Sequence, residues 1–181
     1  MRIFGIDPGS ECTGYGCIDT DGSRSSVVIC GAIKVPARIP FPDKLTRIYD
    51  ELASLLAEHR PACVAIEDVF YARNARSALK LGQVKGVAML AASKAGLPVT
   101  EYAPAEVKRA VVGYGRADKR QVQHMIARLL RLDVAPSPYD VSDALAIAVC
   151  HAHTALSSQT AVCSVGHDVG VRSWRQYRPQ G

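Results

Sequence analysis

Residues 1–10 read MRIFGIDPGS. Ile3, Phe4 and Ile6 make a short apolar run with β character, Asp7 follows it, and Pro8-Gly9 break the strand. A carboxylate is costly to bury unless it is paired, hydrogen-bonded or bound to a cation. Asp7 therefore has two readings. Either it starts a turn by accepting from the backbone N–H groups after Pro8, or it belongs to a site. The site is favoured because the chain carries three more acids in comparable settings.

Thr13–Ile18 (TGYGCI) reads as a second strand, with Gly14 and Gly16 on one face where another backbone or a ligand can come close. Asp19-Thr-Asp-Gly22 is a hairpin signal, and Ser26–Val35 is a third strand, so the chain opens as a meander. After a proline-rich connection over 36–42, Leu45, Ile48, Leu52, Leu55 and Leu56 share one face of a helix from Asp43 to about His59. Ala62–Ile66 is wholly apolar, as in a strand covered on both faces, and it ends in Glu67-Asp68. Phe70 and Tyr71, followed by Arg73 and Arg76, suit either base stacking with phosphate contact or burial in the core.

A long helix spans Ser77 to about Ala95. Its Gly82 and Gly86, four apart, allow close approach to the sheet or to a second copy of the chain. Pro98–Tyr102 is a fifth strand, and Pro104 opens a helix to about Val112. The loop at 113–117 lacks the phosphate-loop pattern GxxxxGK[ST]. Asp118 caps a helix to about Leu132, and a last helix runs from Asp140 to about Ala155. Residues 157–181 lack apolar periodicity and read as a disordered tail behind a domain of residues 1–156.

The 181 residues suffice for one domain with a substantial core, at 48% hydrophobic and 22% charged content. No signal peptide is read after Arg2, and no uncharged apolar run reaches the roughly 18 residues of a membrane helix, so a cytoplasmic location is expected. Six cysteines without a CxxC pair read as reduced thiols, and Cys150, His151 and His153 sit in a helix interior rather than in a zinc-ligand pattern. The net charge is +5, and Lys and Arg gather at 73–85, 108–120 and 128–131. Basic surface around isolated acids suits a metal-dependent nuclease, in which bases hold phosphates and acids hold the metal.

Asp140 and Asp143, three apart, share a face at the start of the last helix. An N-cap acid with a second acid at N3 accounts for both as capping. The helix that follows, ALAIAVC, is nearly all apolar, so its first turn points into the domain. If the first and fourth strands are parallel neighbours, Asp7 and Glu67 stand together and the last helix brings Asp140 and Asp143 to them. Four carboxylates repel one another unless cations are present. Two Mg²⁺, or Mn²⁺ as a substitute, balance four acids and suit oxygen ligands; a pair of ions about 4 Å apart is the arrangement that clamps a phosphodiester.

Four stretches carry a resemblance. GIDPGS-x-x-TGYG at 5–16, AIEDVFYARNARSALKLGQVKGVA at 65–88, EYAPAEVKRAVVGYGRADKRQVQHM at 101–125 and DVSDALAIAVCH at 140–151 resemble the RuvC Holliday junction resolvases. The resemblance covers about residues 1–156 and implies an RNase H-like α/β fold with a five-stranded mixed sheet flanked by helices. It places the catalytic and metal-binding acids on Asp7, Glu67, Asp140 and Asp143, a base-stacking aromatic on Phe70, and bases near the scissile phosphate on Lys108 and Lys119. It also implies a homodimer through the 77–95 helix, a four-way DNA junction as substrate, and cooperation with the RuvA and RuvB branch-migration complex. Further expected DNA contacts are Tyr71, Arg73, Arg76, Lys80, Arg116 and Arg120, and the expected dimer residues are Ala78, Leu81, Gly82 and Lys85. Asp68 stands where relatives often carry an amide or Glu. The competing readings are an RNase H-like nuclease acting on RNA, a non-catalytic junction-binding module, and an actin-like ATPase. The last needs two domains, more than this chain holds.

Overall fold

A computed structural model describes residues 1–68 and 75–163, with side chains described through residue 155. The expectations for Phe70, Tyr71 and Arg73, and for residues 164–181, lie outside the described residues.

Strands β1 (Arg2–Asp7), β2 (Cys12–Thr20) and β3 (Ser25–Lys34) form the expected antiparallel meander. Strands β4 (Cys63–Glu67) and β5 (Val99–Tyr102) add parallel to it, giving one mixed sheet in the order β3-β2-β1-β4-β5. Helices α1 (Phe41–His59) and α2 (Ala75–Lys94) cover one face. Helices α3 (Pro104–Val112), α4 (Lys119–Leu129) and α5 (Tyr139–Cys163) cover the other.

The period of two along a strand explains this layering. On β1, Phe4 and Ile6 pack with Ile48, Leu52 and Val84 of α1 and α2. Ile3 packs with Val107, Ile126 and Leu145 on the other side, and Gly5 and Asp7 share its parity. On β4, Val64 and Ile66 join the first layer, while Cys63 and Ala65 join the second, with Glu67 of the same parity. Asp7 and Glu67 thus leave their strands toward α5.

A floor of small residues lets α5 lie on the sheet. A methyl group added at Gly5 would stand 2.1 Å from the carbonyl oxygen of Ala144, and one at Gly14 would stand 1.9 Å from that of Asp140. At Gly16 it would meet Leu145 Cδ2 at 2.6 Å. The close approach expected at Gly14 and Gly16 is thus present, and α5 is the element that makes it.

Several boundaries differ from the sequence reading. Helix α1 takes Phe41 and Pro42 into its first turn, because a proline there loses no helical hydrogen bond. Helix α4 ends at Leu129 rather than Leu132, and Arg131 takes a positive φ of 54°. Helix α5 starts at Tyr139, so Asp140 lies inside the first turn and is not the N-cap. It also runs on to Cys163, so the expected boundary after residue 156 is not a break in the helix. Asp118 does cap α4, accepting from the Gln121 N–H at 2.9 Å.

Candidate active site

The last printed pair between the parallel strands β1 and β4 is Ile6 with Ile66, and Asp7 and Glu67 are the next residues on each. The two acids meet at the ends of adjacent strands. Across β2, Asp7 pairs with Gly14, the residue on which the Asp140 backbone rests. Asp143, one turn further along α5, lines the same cavity of about 230 Å³ as Asp7 and Glu67, together with Lys108 of α3 and Lys119 of α4. Asp140 stands beside this cavity rather than on its wall, close enough to Asp7 for their charges to interact. A larger cavity of about 660 Å³ lies beside Met1, Asp19 and Arg131, at the other end of β1, and holds none of the four acids.

The bland readings of these acids do not hold among the described residues. The turn after Asp7 is tied by Thr13, whose hydroxyl donates to the Gly9 carbonyl at 2.7 Å and accepts from the Gly9 N–H at 3.3 Å. Asp143 accepts from Lys119 Nζ at 3.0 Å instead of capping α5. No described donor reaches Asp7 or Glu67.

Burial pushes the Asp7 carboxyl up to about 8, and the charges of Glu67, Asp143 and Asp140 push the same way against Lys119. Glu67 is raised by burial and then by Asp143, with Lys119 and Lys108 opposing. Asp143 is raised by burial, and Lys119 holds part of that shift back. Among the described residues no three histidine, cysteine or acidic side chains are gathered into a ready-made ion cage. The donor set nevertheless fits a hard divalent cation: four oxygen-bearing acids converge, Asp7 and Glu67 have no donor among the described residues, and burial and neighbouring charge suppress the ionisation of Asp7, Glu67 and Asp143.

A stability profile follows. The Asp7 proton is held in the folded state up to about pH 8 and is released near the ordinary Asp value of 3.8 in the unfolded chain. The resulting stabilisation is fully present below about pH 4 and is lost as pH rises through about 8. In EDTA the melting temperature should therefore fall between pH 6 and pH 9 from this group, and Mg²⁺ should raise it more at pH 9 than at pH 6. A Mg²⁺-induced rise that does not grow with pH would contradict the assignment.

The sequence model described as Crossover junction endodeoxyribonuclease RuvC matches residues 3–151. The chain belongs to the RuvC family. A relative of that name from Koribacter versatilis is 58% identical over 155 residues, covering 85% of this chain and 93% of its own. One from Pelobacter propionicus is 49% identical and covers 99% of this chain and all of its own. Among solved structures, T. thermophilus RuvC in complex with a Holliday junction substrate superposes with a TM-score of 0.83 at 35% identity, covering 87% of this chain and 96% of the other. The fold is RNase H-like, as expected.

The remaining expected residues of this RuvC-family chain distribute unevenly. Lys108 and Lys119 are at the cavity, and the Lys119 side chain is 62% exposed, so its ammonium can face both Asp143 and a ligand. Arg116 and Arg120 are exposed on either side of the α4 N-terminus, and Arg76 is exposed on α2. Lys80 is turned toward α1, with its Nζ 5.6 Å from the centre of the Phe41 ring. Ala78 and Gly82 are exposed and Leu81 is half-buried. The Lys85 side chain, expected at the dimer contact, is 14% exposed and is bound within its own chain to Asp68, just past the end of β4, and to Glu101 of β5. Asp68 is thereby paired away from the four acids.

Sequence reasoning also missed Cys12. Its thiol is near enough to Asp140 to feel its charge and is pushed up to about 11 by burial and by that acid. Nothing in the sequence marks this contact. His151 lies between Tyr102 Oη at 2.9 Å and Cys63 Sγ at 3.3 Å.

Proposed function

We propose that this chain is a metal-dependent endonuclease that resolves Holliday junctions by nicking two opposed strands symmetrically. The convergence of Asp7, Glu67, Asp143 and two lysines in one cavity carries this reading. The likeness to a junction-bound T. thermophilus RuvC supports the substrate.

Asp7, Glu67, Asp140 and Asp143 would hold two Mg²⁺, or Mn²⁺ as a substitute. Bound there, these ions supply an activated water and neutralise charge on the scissile phosphodiester. The chain's own groups do the rest. Water adds to phosphorus as the P–O3′ bond breaks, the attacking water gives a proton to solvent and the 3′-oxygen takes one up, and the products are a 5′-phosphate and a 3′-hydroxyl. Lys119 holds Asp143 and, with Lys108, presents positive charge where the phosphate oxygens arrive. Contacts of this kind make binding fall steeply with salt. The four exposed or cavity-lining bases Lys108, Arg116, Lys119 and Arg120 form the proposed backbone contact, with Arg76 and Lys80 on α2 beyond them.

The proposed dimer uses α2. Leu79, Gly82, Gly86 and Leu90 fall on one side of this helix, opposite Val84, Ala88, Ala91 and Ala92 in the core. Leu79 is 70% and Leu90 52% exposed, and a methyl group added at Gly82 or Gly86 would meet nothing within 4 Å. Two such helices can approach closely through the glycines. A symmetric dimer places two active sites on a symmetric junction. The double variant Leu79→Glu/Leu90→Glu should be monomeric by light scattering and should lose paired nicking; a persistent dimer would place the interface elsewhere. Within the cell the proposed setting is the cytoplasm, with RuvA and RuvB supplying junctions; among the described residues no helix is long and apolar enough to cross a membrane. The proposed nuclease domain is residues 1–156, ending inside α5, with 157–181 as an appendage.

The deciding experiment incubates the protein with a synthetic four-way DNA junction in Mg²⁺ or EDTA. Paired, Mg²⁺-dependent nicks giving ligatable duplexes are expected. Binding without cleavage in Mg²⁺ and Mn²⁺ would leave a junction-binding module, and cleavage confined to RNA hybrids would assign a different substrate.

A further inference from the structure

Lys85 sits where α2 first meets the core. From residue 75 to residue 83 the helix has no buried side chain, and Val84 is the first. The start of α2 thus adds no buried side chain to the core. At the point of entry, Lys85 Nζ donates to Asp68 Oδ1 at 2.5 Å and also to the Glu101 carboxylate. Asp68 follows Glu67 directly, and its N–H donates to the Tyr102 carbonyl at 2.7 Å, extending the β4–β5 ladder one step past Glu67. Glu101 is the neighbour of Tyr102 on β5, and Glu67 pairs with Tyr102. One half-buried ammonium therefore ties together α2, the residue after Glu67, and the strand paired with Glu67.

Two carboxylates side by side repel each other, and removing the cation between them leaves both charges uncompensated. The geometry points to Lys85 as a positioning residue of the nuclease: it pins Asp68 and Glu101 beneath α2 and so holds the end of β4, and with it Glu67, in register beside Asp7. This rests on the junction-resolving function proposed above. It gives Lys85 a role inside one protomer, distinct from any contact between copies.

The test uses the full chain and Lys85→Met. Amide hydrogen exchange over residues 63–68 and 75–83 reads the pin directly, without reference to activity. Junction affinity measured in Ca²⁺, single-turnover cleavage and the Mg²⁺ concentration for half-maximal rate read its consequence. Lys85→Met should exchange faster over 63–68 and cleave about tenfold more slowly, with a raised Mg²⁺ requirement and a Kd within about threefold of the parent. Lys85→Arg should restore most of the rate, and the double variant Asp68→Asn/Glu101→Gln should reproduce the exchange and rate defects. Unchanged exchange over 63–68 in Lys85→Met overturns the proposal, as does a rate loss matched by an equal loss of affinity. If Lys85→Met does not fold by circular dichroism, parent-like exchange and cleavage in the double variant overturns it instead. A parent protein that cuts no junction would sink the functional reading, while the exchange data still judge the pin.

Discussion

Asp7→Asn abolishes junction cleavage, by about a thousandfold or more, and leaves junction binding in Ca²⁺ within about threefold of the parent: this is the largest effect expected of any single substitution. Asp7 is the acid on which the other three act. Burial and the charges of Glu67, Asp143 and Asp140 all raise it, against the charge of Lys119, and no described donor bonds it. A cation that relieves this repulsion must engage Asp7, and an amide of nearly the same shape cannot supply the charge. The bases that meet the phosphates are untouched, so affinity survives. The variant has a second signature. Asn carries no charge to suppress, so metal-free Asp7→Asn should melt above the parent at pH 9, and its melting temperature should respond less to Mg²⁺. Cleavage at a normal rate would remove Asp7 from the metal site, and a parent-like Mg²⁺ response in melting would do the same without an assay of activity.

The second large effect is expected at Gly14→Val. A β-carbon there would lie 1.9 Å from the Asp140 carbonyl oxygen and 2.4 Å from its carbonyl carbon. These are backbone atoms of a buried helix and cannot swing aside as a side-chain tip can. Helix α5 must lift from the sheet at its first turn, the turn that carries Asp140 and Asp143. We expect a loss of about 3 kcal/mol in urea unfolding, at the upper end of overpacking costs, together with loss of cleavage. Gly16→Ala is the graded comparison. There the added carbon meets Leu145 Cδ2 at 2.6 Å, a side-chain atom rather than backbone, and a smaller loss is expected. A Gly14→Val protein as stable as Gly16→Ala would mean that α5 does not rest on β2 in the way described.

The alternation Ile3-Phe4-Gly5-Ile6-Asp7 made much of this legible before any coordinates. It places Asp7 on the face opposite Phe4 and Ile6, and the run ending at Glu67 does the same for the fourth strand. The glycines of TGYG announced a close approach but not its partner, because α5 lies more than a hundred residues away in sequence. Capping of the last helix by Asp140 was a sound local reading that failed for a local reason: the helix begins at Tyr139, and Asp143 finds Lys119 instead. Lys85 was unreadable in principle. Its partners lie 17 and 16 residues distant, one just past the end of β4 and one on β5, and only the packing of α2 brings the three charges together.

The glycine floor beneath α5 also bears on synthesis at the ribosome. Asp7 and Glu67 are translated early, whereas Asp143 arrives with a helix that begins at Tyr139, the last element of the described fold. Until that helix emerges, Gly5, Gly14 and Gly16 face no covering backbone and the third wall of the cavity does not exist. A nascent chain is therefore silent toward DNA chemistry at every length short of nearly the whole domain. A nuclease built this way acquires its activity in the same event that completes its core.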